Sequence, residues 1–179
     1  CVYETGFILL HGFLSEYFVD SAEYIVRMPS GLKHLHVLAE PMSCAAKAVQ
    51  QAYEVQRRMK VWDPKVAYVM VAGQSGLLTT LILKLRGLDV FTLARSVPPT
   101  HNAEIVAGME ATYVSTSQTS LDELVSQVGK ADLIIDATGS SEMAFSAMQA
   151  LGHNGVLVWT SITGGNHSAE IPSDRINID

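Results

Sequence analysis

From residue 66 onward, short apolar runs alternate with longer stretches in which apolar residues recur at three- and four-residue steps. The short runs predict buried strands, and the longer stretches predict amphipathic helices. The predicted strands are 66–72, 89–94, 111–114, 132–137 and 155–161, and the predicted helices are 76–86, 101–108, 120–129 and 141–151. Such alternation predicts an α/β fold with a doubly wound parallel sheet of the Rossmann type.

Two helices carry predictions about which side chains are buried. A long helix is expected at 40–60, with Pro41 in its first turn, where a missing N–H removes no hydrogen bond. Its spacing predicts that Cys44 is a buried, small hydrophobic residue. Its apolar stripe consists of Met42, Ala45, Val49, Ala52 and Met59. The predicted apolar face of helix 76–86 consists of Leu77, Leu78, Leu81, Ile82 and Leu85.

The turn after the first predicted strand, "VAGQSG" at 71–76, contains two glycines with dinucleotide-binding spacing. Gly73 and Gly76 occupy the second and third positions of G-x-G-x-x-G, and Val71 stands in the first. The second glycine lets backbone approach a pyrophosphate, and the third permits close helix–strand packing. The amides predicted to face the anion are those of Gln74, Ser75, Gly76 and Leu77. A glycine corner that serves only backbone geometry is the alternative.

The second predicted strand end carries a basic residue where many dinucleotide sites have an acid. An acid about 20 residues past the first turn usually binds the ribose of NAD, whereas an Arg accommodates the 2′-phosphate of NADP. The sequence here is Ala94, Arg95 and Ser96. A guanidinium beside a hydroxyl fits a phosphate, so NADP is favoured over NAD as the cofactor. The alternative is a solvated arginine in a loop.

The fourth and fifth predicted strand ends are rich in small residues, which let a ribose or nicotinamide lie against backbone. The residues expected to line this part of the site are Ala137, Thr138, Gly139, Thr160 and Ser161. Asp136 precedes them, and we interpret it as a polar residue satisfied at a strand end rather than as a catalytic group.

Composition excludes several other classes of protein. The net charge of -6 and the absence of a long basic run argue against nucleic-acid binding. No apolar run approaches the roughly 18 residues that a membrane span requires. The two cysteines imply no disulfide framework, so a reducing, cytoplasmic setting is expected. Residues 1–36 mix aromatic and polar residues, as in 12–20 and 23–31, and are expected to be β-rich.

Six segments resemble the zinc-dependent medium-chain dehydrogenase/reductase superfamily, and within it the archaeal-type glucose dehydrogenase branch. These segments are "HGFLSEYF", "YIVRMP", "AEPMSCAAKAV", "AGQSGLLT", "ATG" and "LGHNGVL". The resemblance implies that residues 1–38 are a remnant of a GroES-like catalytic domain. It implies that residues 39–179 are an NAD(P)-binding Rossmann domain, incomplete at its C-terminal side.

The resemblance also implies an activity. The intact protein would be an oxidoreductase that transfers hydride from a glucose-like aldose, or from a polyol or alcohol, to NAD(P), with zinc polarising the substrate oxygen. Glu40 matches a zinc ligand of that branch, and Cys1 resembles a cysteine of the structural-zinc lobe. Their partners would lie upstream of Cys1. We therefore expect this chain alone to bind nucleotide without turnover, and no catalytic residue is assigned. Homo-oligomerisation through the Rossmann domain is a further implication.

Two other classes of protein share this type of sheet. A non-catalytic nucleotide-sensing module would have the same sheet and the same first turn, and it remains an alternative. A methyltransferase would need an acid at the end of the second strand for the ribose of its cofactor. The residues there, 93–95, read Leu-Ala-Arg and contain none.

Overall fold

The computed structural model describes residues 15–161 of the 179-residue chain. The chain divides into two compact units, and the boundary falls between Val37 and Leu38. Cys1 and the first part of the segment predicted to be β-rich lie outside the described residues. The two units are described separately below.

The described part of the first unit contains short 3₁₀ helices at Ala22–Tyr24 and Ser30–Leu38, and residues 15–38 contain no strand. The prediction of β structure is therefore wrong for this segment. Its apolar side chains are open to solvent; Val19, for example, is 97% exposed. An alternating pattern forms a stable strand only where neighbouring strands accept its hydrogen bonds and cover one face. No strand described in the structure pairs with this segment.

The second unit alternates helices and strands. They are α1 (Ala39–Gln56), β1 (Val66–Met70), α2 (Gln74–Leu85), β2 (Asp89–Ala94), α3 (His101–Gly108), β3 (Thr112–Ser115), α4 (Leu121–Val128), β4 (Ala131–Asp136), α5 (Ser141–Gln149) and β5 (Leu151–Trp159). All strand pairs are parallel and the order is β3-β2-β1-β4-β5, which confirms the predicted doubly wound sheet. The order reverses between β1 and β4, where such folds open a ligand crevice.

Alternate strand residues point to two separate cores, as the pleat of a strand requires. On one face, Ala67 and Val69 of β1 pack with residues of α1 and α2. On the other face, Tyr68 and Met70 pack with residues of α4 and α5. Both faces of the central strand are therefore covered by helices, which explains why its sequence is apolar without alternation.

The buried stripe of α1 is close to the predicted one. Ala45, Val49 and Ala52 are buried, whereas Met42 and Met59 are only partly buried. Cys44 is exposed, so the prediction that it is buried is wrong. At about 100° per residue, Cys44 lies at the edge of the buried stripe rather than at its centre, and there it faces solvent near the start of the helix.

The buried face of α2 differs from the predicted leucine face. Leu85 is 79% exposed, whereas Thr79 and Thr80 are buried. The Thr80 hydroxyl donates to the Gly76 carbonyl at 2.8 Å, and its oxygen lies 2.7 Å from the Thr92 hydroxyl of β2. These hydrogen bonds make threonine burial favourable because no hydroxyl is left without a partner. The helix consequently turns a polar stripe, rather than its leucines alone, toward the sheet.

Local sequence features stabilise the ends of two helices. Ser120 and Glu123 form a reciprocal capping box at α4, and these hydrogen bonds hold the pKa of the Glu123 carboxyl below its ordinary value of 4.5. Gly87, just past α2, has a φ of +84°, as expected of a glycine that ends a helix. Within residues 15–161, no helix combines the length and the apolar composition needed to cross a membrane.

The buried threonine pair gives a stability prediction. Thr80→Val removes the partner of the buried Thr92 hydroxyl, and we expect a loss of about 1–3 kcal/mol in the free energy of unfolding. In the double variant Thr80→Val/Thr92→Val no hydroxyl remains unpaired, so most of that loss should be recovered. Urea unfolding of the single and double variants, analysed as a double-mutant cycle, measures the coupling. Additive effects of the two substitutions would show that the pair does not interact.

Candidate nucleotide-binding site

The candidate site lies at the carboxyl ends of β1, β2, β4 and β5. The chain passes from β1 to α2 through only three residues, 71–73, because β1 ends at Met70 and α2 begins at Gln74; the predicted connection, 73–75, has the same length but lies two residues later. Short connections of this kind place a helix N-terminus directly beside the end of a buried strand.

Gly76 is required by packing. A Cβ atom at this position would lie 1.7 Å from the Val71 carbonyl oxygen and 3.0 Å from a methyl carbon of the Val71 side chain. Backbone atoms cannot yield to such an overlap, so only glycine lets α2 approach β1 this closely. This is the role that the sequence assigned to the third glycine of the pattern.

Gly73 is not required by packing. Its φ of -84° and ψ of -174° are extended values that any residue adopts. A Cβ atom there would meet nothing nearer than the Val71 Cγ2 at 3.9 Å, which is ordinary contact. Nothing in the described chain therefore demands glycine, and the missing side chain leaves a space beside the helix N-terminus. A ligand that must approach the backbone closely would use that space.

The first amides of α2 receive no side-chain cap. Gly73 is the N-cap residue and makes no side-chain hydrogen bond, whereas hydroxyls of Thr100, Ser120 and Ser140 cap α3, α4 and α5. The first three N–H groups of a helix have no partner within it. At α2 these belong to Gln74, Ser75 and Gly76.

The amide of Leu77 does not belong to this set. It donates to the Gly73 carbonyl at 2.8 Å, so it is engaged in the first helical hydrogen bond, contrary to the prediction that it faces the anion. Three uncapped amides and the positive end of the helix dipole favour a negatively charged group beside Gly73.

The loop after β2 is held through its backbone. The Tyr113 hydroxyl donates to the Ser96 carbonyl at 2.9 Å, and the hydroxyls of Ser115 and Ser117 donate to the Arg95 carbonyl at 3.3 and 2.6 Å. The Ala94 carbonyl accepts from the backbone of the turn after β3 at 2.8 Å. Arg95 is exposed, and none of the ion pairs among residues 15–161 involves it. A fixed backbone therefore carries a guanidinium at the edge of the crevice.

The ends of β4 and β5 are joined by hydrogen bonds. The Gly139 N–H donates to the Ser161 hydroxyl at 2.8 Å, and the Thr160 N–H donates to the Asp136 carbonyl at 2.9 Å. Gly139 has a φ of +70°, a left-handed conformation that favours glycine. Ala137 and Thr138 lie within the same connection. The structure thus brings together the two strand ends that the sequence placed at one wall of the site.

Asp136 is 2% exposed, and its carboxylate accepts from the Thr138 N–H at 2.9 Å. This contact shapes the turn that follows β4. The geometry supports the interpretation of Asp136 as a satisfied residue at a strand end.

One polar contact at the site has no signal in the sequence. The Asn102 side-chain N–H, from the first turn of α3, donates to the Ala72 carbonyl at 2.7 Å. The two residues lie 30 positions apart, and no motif or periodicity marks Asn102. Only the tertiary arrangement, which sets α3 beside the first turn, reveals the contact.

The described residues do not complete a metal site. Glu40 is exposed in the first turn of α1, and the Cys44 sulfur lies 3.9 Å from one of its carboxylate oxygens. Residues 15–161 contain no group of three His, Cys, Asp or Glu side chains that could hold a metal. Zinc requires four ligands, or three and a water, so these residues do not fit it by themselves.

The sheet order and the close β1–α2 turn define a domain with a Rossmann-type fold, and the uncapped amides give it a candidate anion-binding site. Comparison with known families gives the particular assignment. Residues 33–179 match the family described as "Glucose dehydrogenase C-terminus", and the chain belongs to that family.

Individual relatives agree with the family assignment. The chain is 34% identical to the glucose 1-dehydrogenase of Methanocella arvoryzae over 176 residues, which cover 98% of this chain and 49% of the relative. It is 36% identical to the enzyme of Haloferax mediterranei over 157 residues, which cover 86% of this chain and 44% of the relative. The chain therefore spans about half the length of the curated relatives it matches.

Solved structures show the same fold. The glucose dehydrogenase of Haloferax mediterranei in complex with NADP, Zn and gluconolactone superposes with a TM-score of 0.84 at 32% identity, covering 94% of this chain and 47% of that chain. The 2R,3R-butanediol dehydrogenase of Bacillus subtilis superposes with a TM-score of 0.63 at 25% identity, covering 86% of this chain and 42% of that one. The predicted resemblance to medium-chain dehydrogenases is confirmed.

The two glycines of the first turn should respond differently to the same substitution. Gly76→Ala forces a methyl group into the Val71 carbonyl, and we expect a loss of at least about 2 kcal/mol in the free energy of unfolding. Gly73→Ala finds room, so its stability should stay within about 1 kcal/mol of wild type. Its added methyl should nevertheless weaken NADP binding at least about tenfold.

Chemical denaturation and calorimetric titration of both variants make this test. Unchanged NADP affinity in Gly73→Ala would show that the open space is not used by the cofactor. Equal stability losses in the two variants would contradict the assignment of separate roles.

Proposed function

We propose that this chain is the nucleotide-binding part of an NAD(P)-dependent oxidoreductase of the glucose 1-dehydrogenase type, and that NADP is its preferred cofactor. The observation that carries the proposal is the unfilled space at Gly73 beside three uncapped amides of α2. Support comes from the Haloferax mediterranei relative, whose structure holds NADP, Zn and gluconolactone. When bound, NADP supplies the nicotinamide ring that accepts a hydride from a sugar.

The amides at the start of α2 would bind the pyrophosphate. The donors are those of Gln74, Ser75 and Gly76, and the absent side chain of Gly73 would let the phosphates approach. Leu77 would contribute only through its position in the first turn, because its amide is engaged. No proton transfer is needed in this step, so the chemistry is positioning by fixed dipoles.

The adenosine end would lie against the loop after β2. Arg95 is exposed on a backbone held by hydroxyls, and Ser96 provides a hydroxyl beside it, with Ala94 at the strand end. A guanidinium on a fixed loop can form charge-assisted hydrogen bonds to a 2′-phosphate with little ordering of the chain. No acid stands at this strand end to bind a free 2′-hydroxyl, which favours NADP.

The nicotinamide end would lie between the last two strand ends. Ala137, Thr138 and Gly139 present a small-residue surface, and the hydrogen bond from Gly139 to Ser161 fixes it against the segment that contains Thr160. Small side chains and ordered backbone here would orient the ring and keep the reacting carbon accessible from the open side.

The proposal also covers the metal ligand, the domain organisation, the assembly and the location of the protein. Glu40 would supply one zinc ligand, and because the described residues do not complete the site, no reaction step is assigned to the metal. The two-part organisation would be a catalytic remnant at 1–38 and the nucleotide-binding domain at 39–179. Homo-oligomerisation would use the edge of the sheet at β5, where Trp159 is 48% exposed. A cytoplasmic location remains an expectation.

A non-catalytic nucleotide-sensing module is the second candidate, because the same sheet and turn would serve it. Family membership and the gluconolactone in the relative's structure favour the enzyme. Glu40 is also exposed at the start of α1, so its carboxylate is accessible to a metal ion whose other ligands would come from outside the described residues.

Arg95→Ala tests the cofactor preference. Removing the guanidinium should weaken binding of NADP by about ten- to a hundredfold, the effect of losing charge-assisted hydrogen bonds, and should change binding of NAD by less than about threefold. Calorimetric titration of both cofactors into wild type and variant gives the measurement.

Arg58→Ala is the matched control, because it removes the same charge from an exposed position between α1 and β1. It should leave both affinities unchanged. If wild type binds neither cofactor at millimolar concentrations, the proposed function is wrong. If Arg95→Ala weakens NADP and NAD equally, the 2′-phosphate assignment is wrong while nucleotide binding stands.

A further inference from the structure

Asn102 joins two parts of the candidate site that are remote in sequence. Its side-chain N–H donates to the Ala72 carbonyl at 2.7 Å. Ala72 lies in the turn between β1 and the helix that carries the uncapped amides. Asn102 lies in the first turn of α3, directly after the loop that carries Arg95. The contact therefore spans the gap between the proposed pyrophosphate and 2′-phosphate subsites.

Without Asn102, the Ala72 carbonyl would have no side-chain hydrogen-bond donor. Ala72 is 3% exposed, and it follows the last residue of β1 that pairs in the sheet. A buried carbonyl needs a hydrogen-bond partner, and an amide side chain is the neutral group that supplies one here. Because the acceptor is a carbonyl oxygen, the NH₂ end of the Asn102 side chain must face it.

The first turn of α3, which carries Asn102, is also held in place. The Thr100 hydroxyl caps α3 by accepting from the Ala103 N–H at 3.2 Å, so the first turn of α3 is anchored to the end of the preceding loop. That loop is held in turn by Tyr113 and Ser117. Hydrogen bonds thus run from β3, through the Arg95 loop and the start of α3, to the turn at Ala72.

We propose that Asn102 is a positioning residue for dinucleotide binding: through the Ala72 carbonyl it holds the α2 amides and the Arg95 loop at the separation that one dinucleotide spans. This inference rests on the proposed function, and it assigns to Asn102 no contact with the cofactor. A ligand that touches both subsites benefits from the fixed separation, whereas a ligand that touches only one does not.

The test compares a ligand that spans both subsites with one that does not. NADP should engage both, and adenosine 2′-monophosphate should engage only the Arg95 loop. Asn102→Ala should weaken NADP about five- to tenfold, the effect of losing one partly buried hydrogen bond, and should change the affinity for adenosine 2′-monophosphate by less than about twofold. Asn102→Gln keeps the amide donor and should recover most of the NADP affinity.

The matched control is His101→Ala, which changes the neighbouring exposed residue of the same helical turn and should leave both affinities unchanged. Thermal unfolding of each variant separates a loss of stability from a loss of positioning. Equal weakening of both ligands in Asn102→Ala, or unchanged NADP affinity, would overturn the inference.

A second measurement on nucleotide-free protein keeps this result separate from the proposed function. The Leu77 amide donates to the Gly73 carbonyl, next to Ala72, so its hydrogen exchange reports order in the turn. Asn102→Ala should accelerate that exchange about fivefold, and His101→Ala should not. If wild type binds no NADP but exchange is still faster in Asn102→Ala, the proposed function is wrong, and the Asn102–Ala72 hydrogen bond is still shown to order the turn. Unchanged exchange would overturn the inference.

Discussion

The contact between Gly76 and the Val71 carbonyl is the constraint on which the site depends. It brings the first turn of α2 against the end of β1, closer than any residue with a Cβ atom would allow. Because β1 is the central strand, covered on both faces, its end cannot move away to relieve a clash. The N-terminus of α2 is therefore placed by the core of the domain and not by a flexible loop.

Polar contacts further along α2 reinforce that placement. The Thr80 hydroxyl donates a hydrogen bond to the Gly76 carbonyl, one turn earlier in the helix. Its oxygen is also hydrogen-bonded to the Thr92 hydroxyl on the neighbouring strand. A buried polar pair specifies rotation and height more strictly than leucine packing does, because a shift of the helix would leave hydroxyls unsatisfied. Packing at one residue and hydrogen bonding at another thus set both the distance and the rotation of α2.

Because α2 is fixed in place, its uncapped amides are held at a defined position where they can donate hydrogen bonds to a ligand. The three later helices that follow strands satisfy their first amides with a hydroxyl, and α2 does not. A helix end without a cap is less stable by about 1 kcal/mol than a capped one, so the uncapped start of α2 carries a local cost in stability. Binding sites commonly have such local deficits, which are offset by the rest of the fold.

Much of the fold could be predicted from the sequence because its signals are local. Buried parallel strands appear as short apolar runs, and caps such as Ser120 with Glu123 appear at fixed spacing. The glycine spacing at 73 and 76 likewise marked the turn, and the pattern assigned the packing role to Gly76. The distances to Val71 confirm the packing role of Gly76.

The failures come from interactions that are not local. The exposed face of α2 includes Leu85 because Thr80 finds a partner on β2, and nothing in the helix itself indicates that partner. Residues 15–37 have a strand-like pattern but no described strand to pair with. Asn102 was missed for the same reason, since its value depends on a carbonyl 30 residues away.

The distribution of these features explains how the chain divides its tasks. The residues proposed to hold a dinucleotide lie on or beside connections of one sheet, where hydrogen bonds such as those to the Arg95 carbonyl fix the backbone. Glu40, the proposed zinc ligand, lies at the start of α1 rather than on these connections, and the described residues contain no group of three side chains that could hold a metal.

Cofactor binding should therefore be a property of this domain alone, whereas hydride transfer would require ligands and a substrate surface from outside the described residues. A site organised in this way can vary its substrate without changing the cofactor cradle, because the two are built from different parts of the chain.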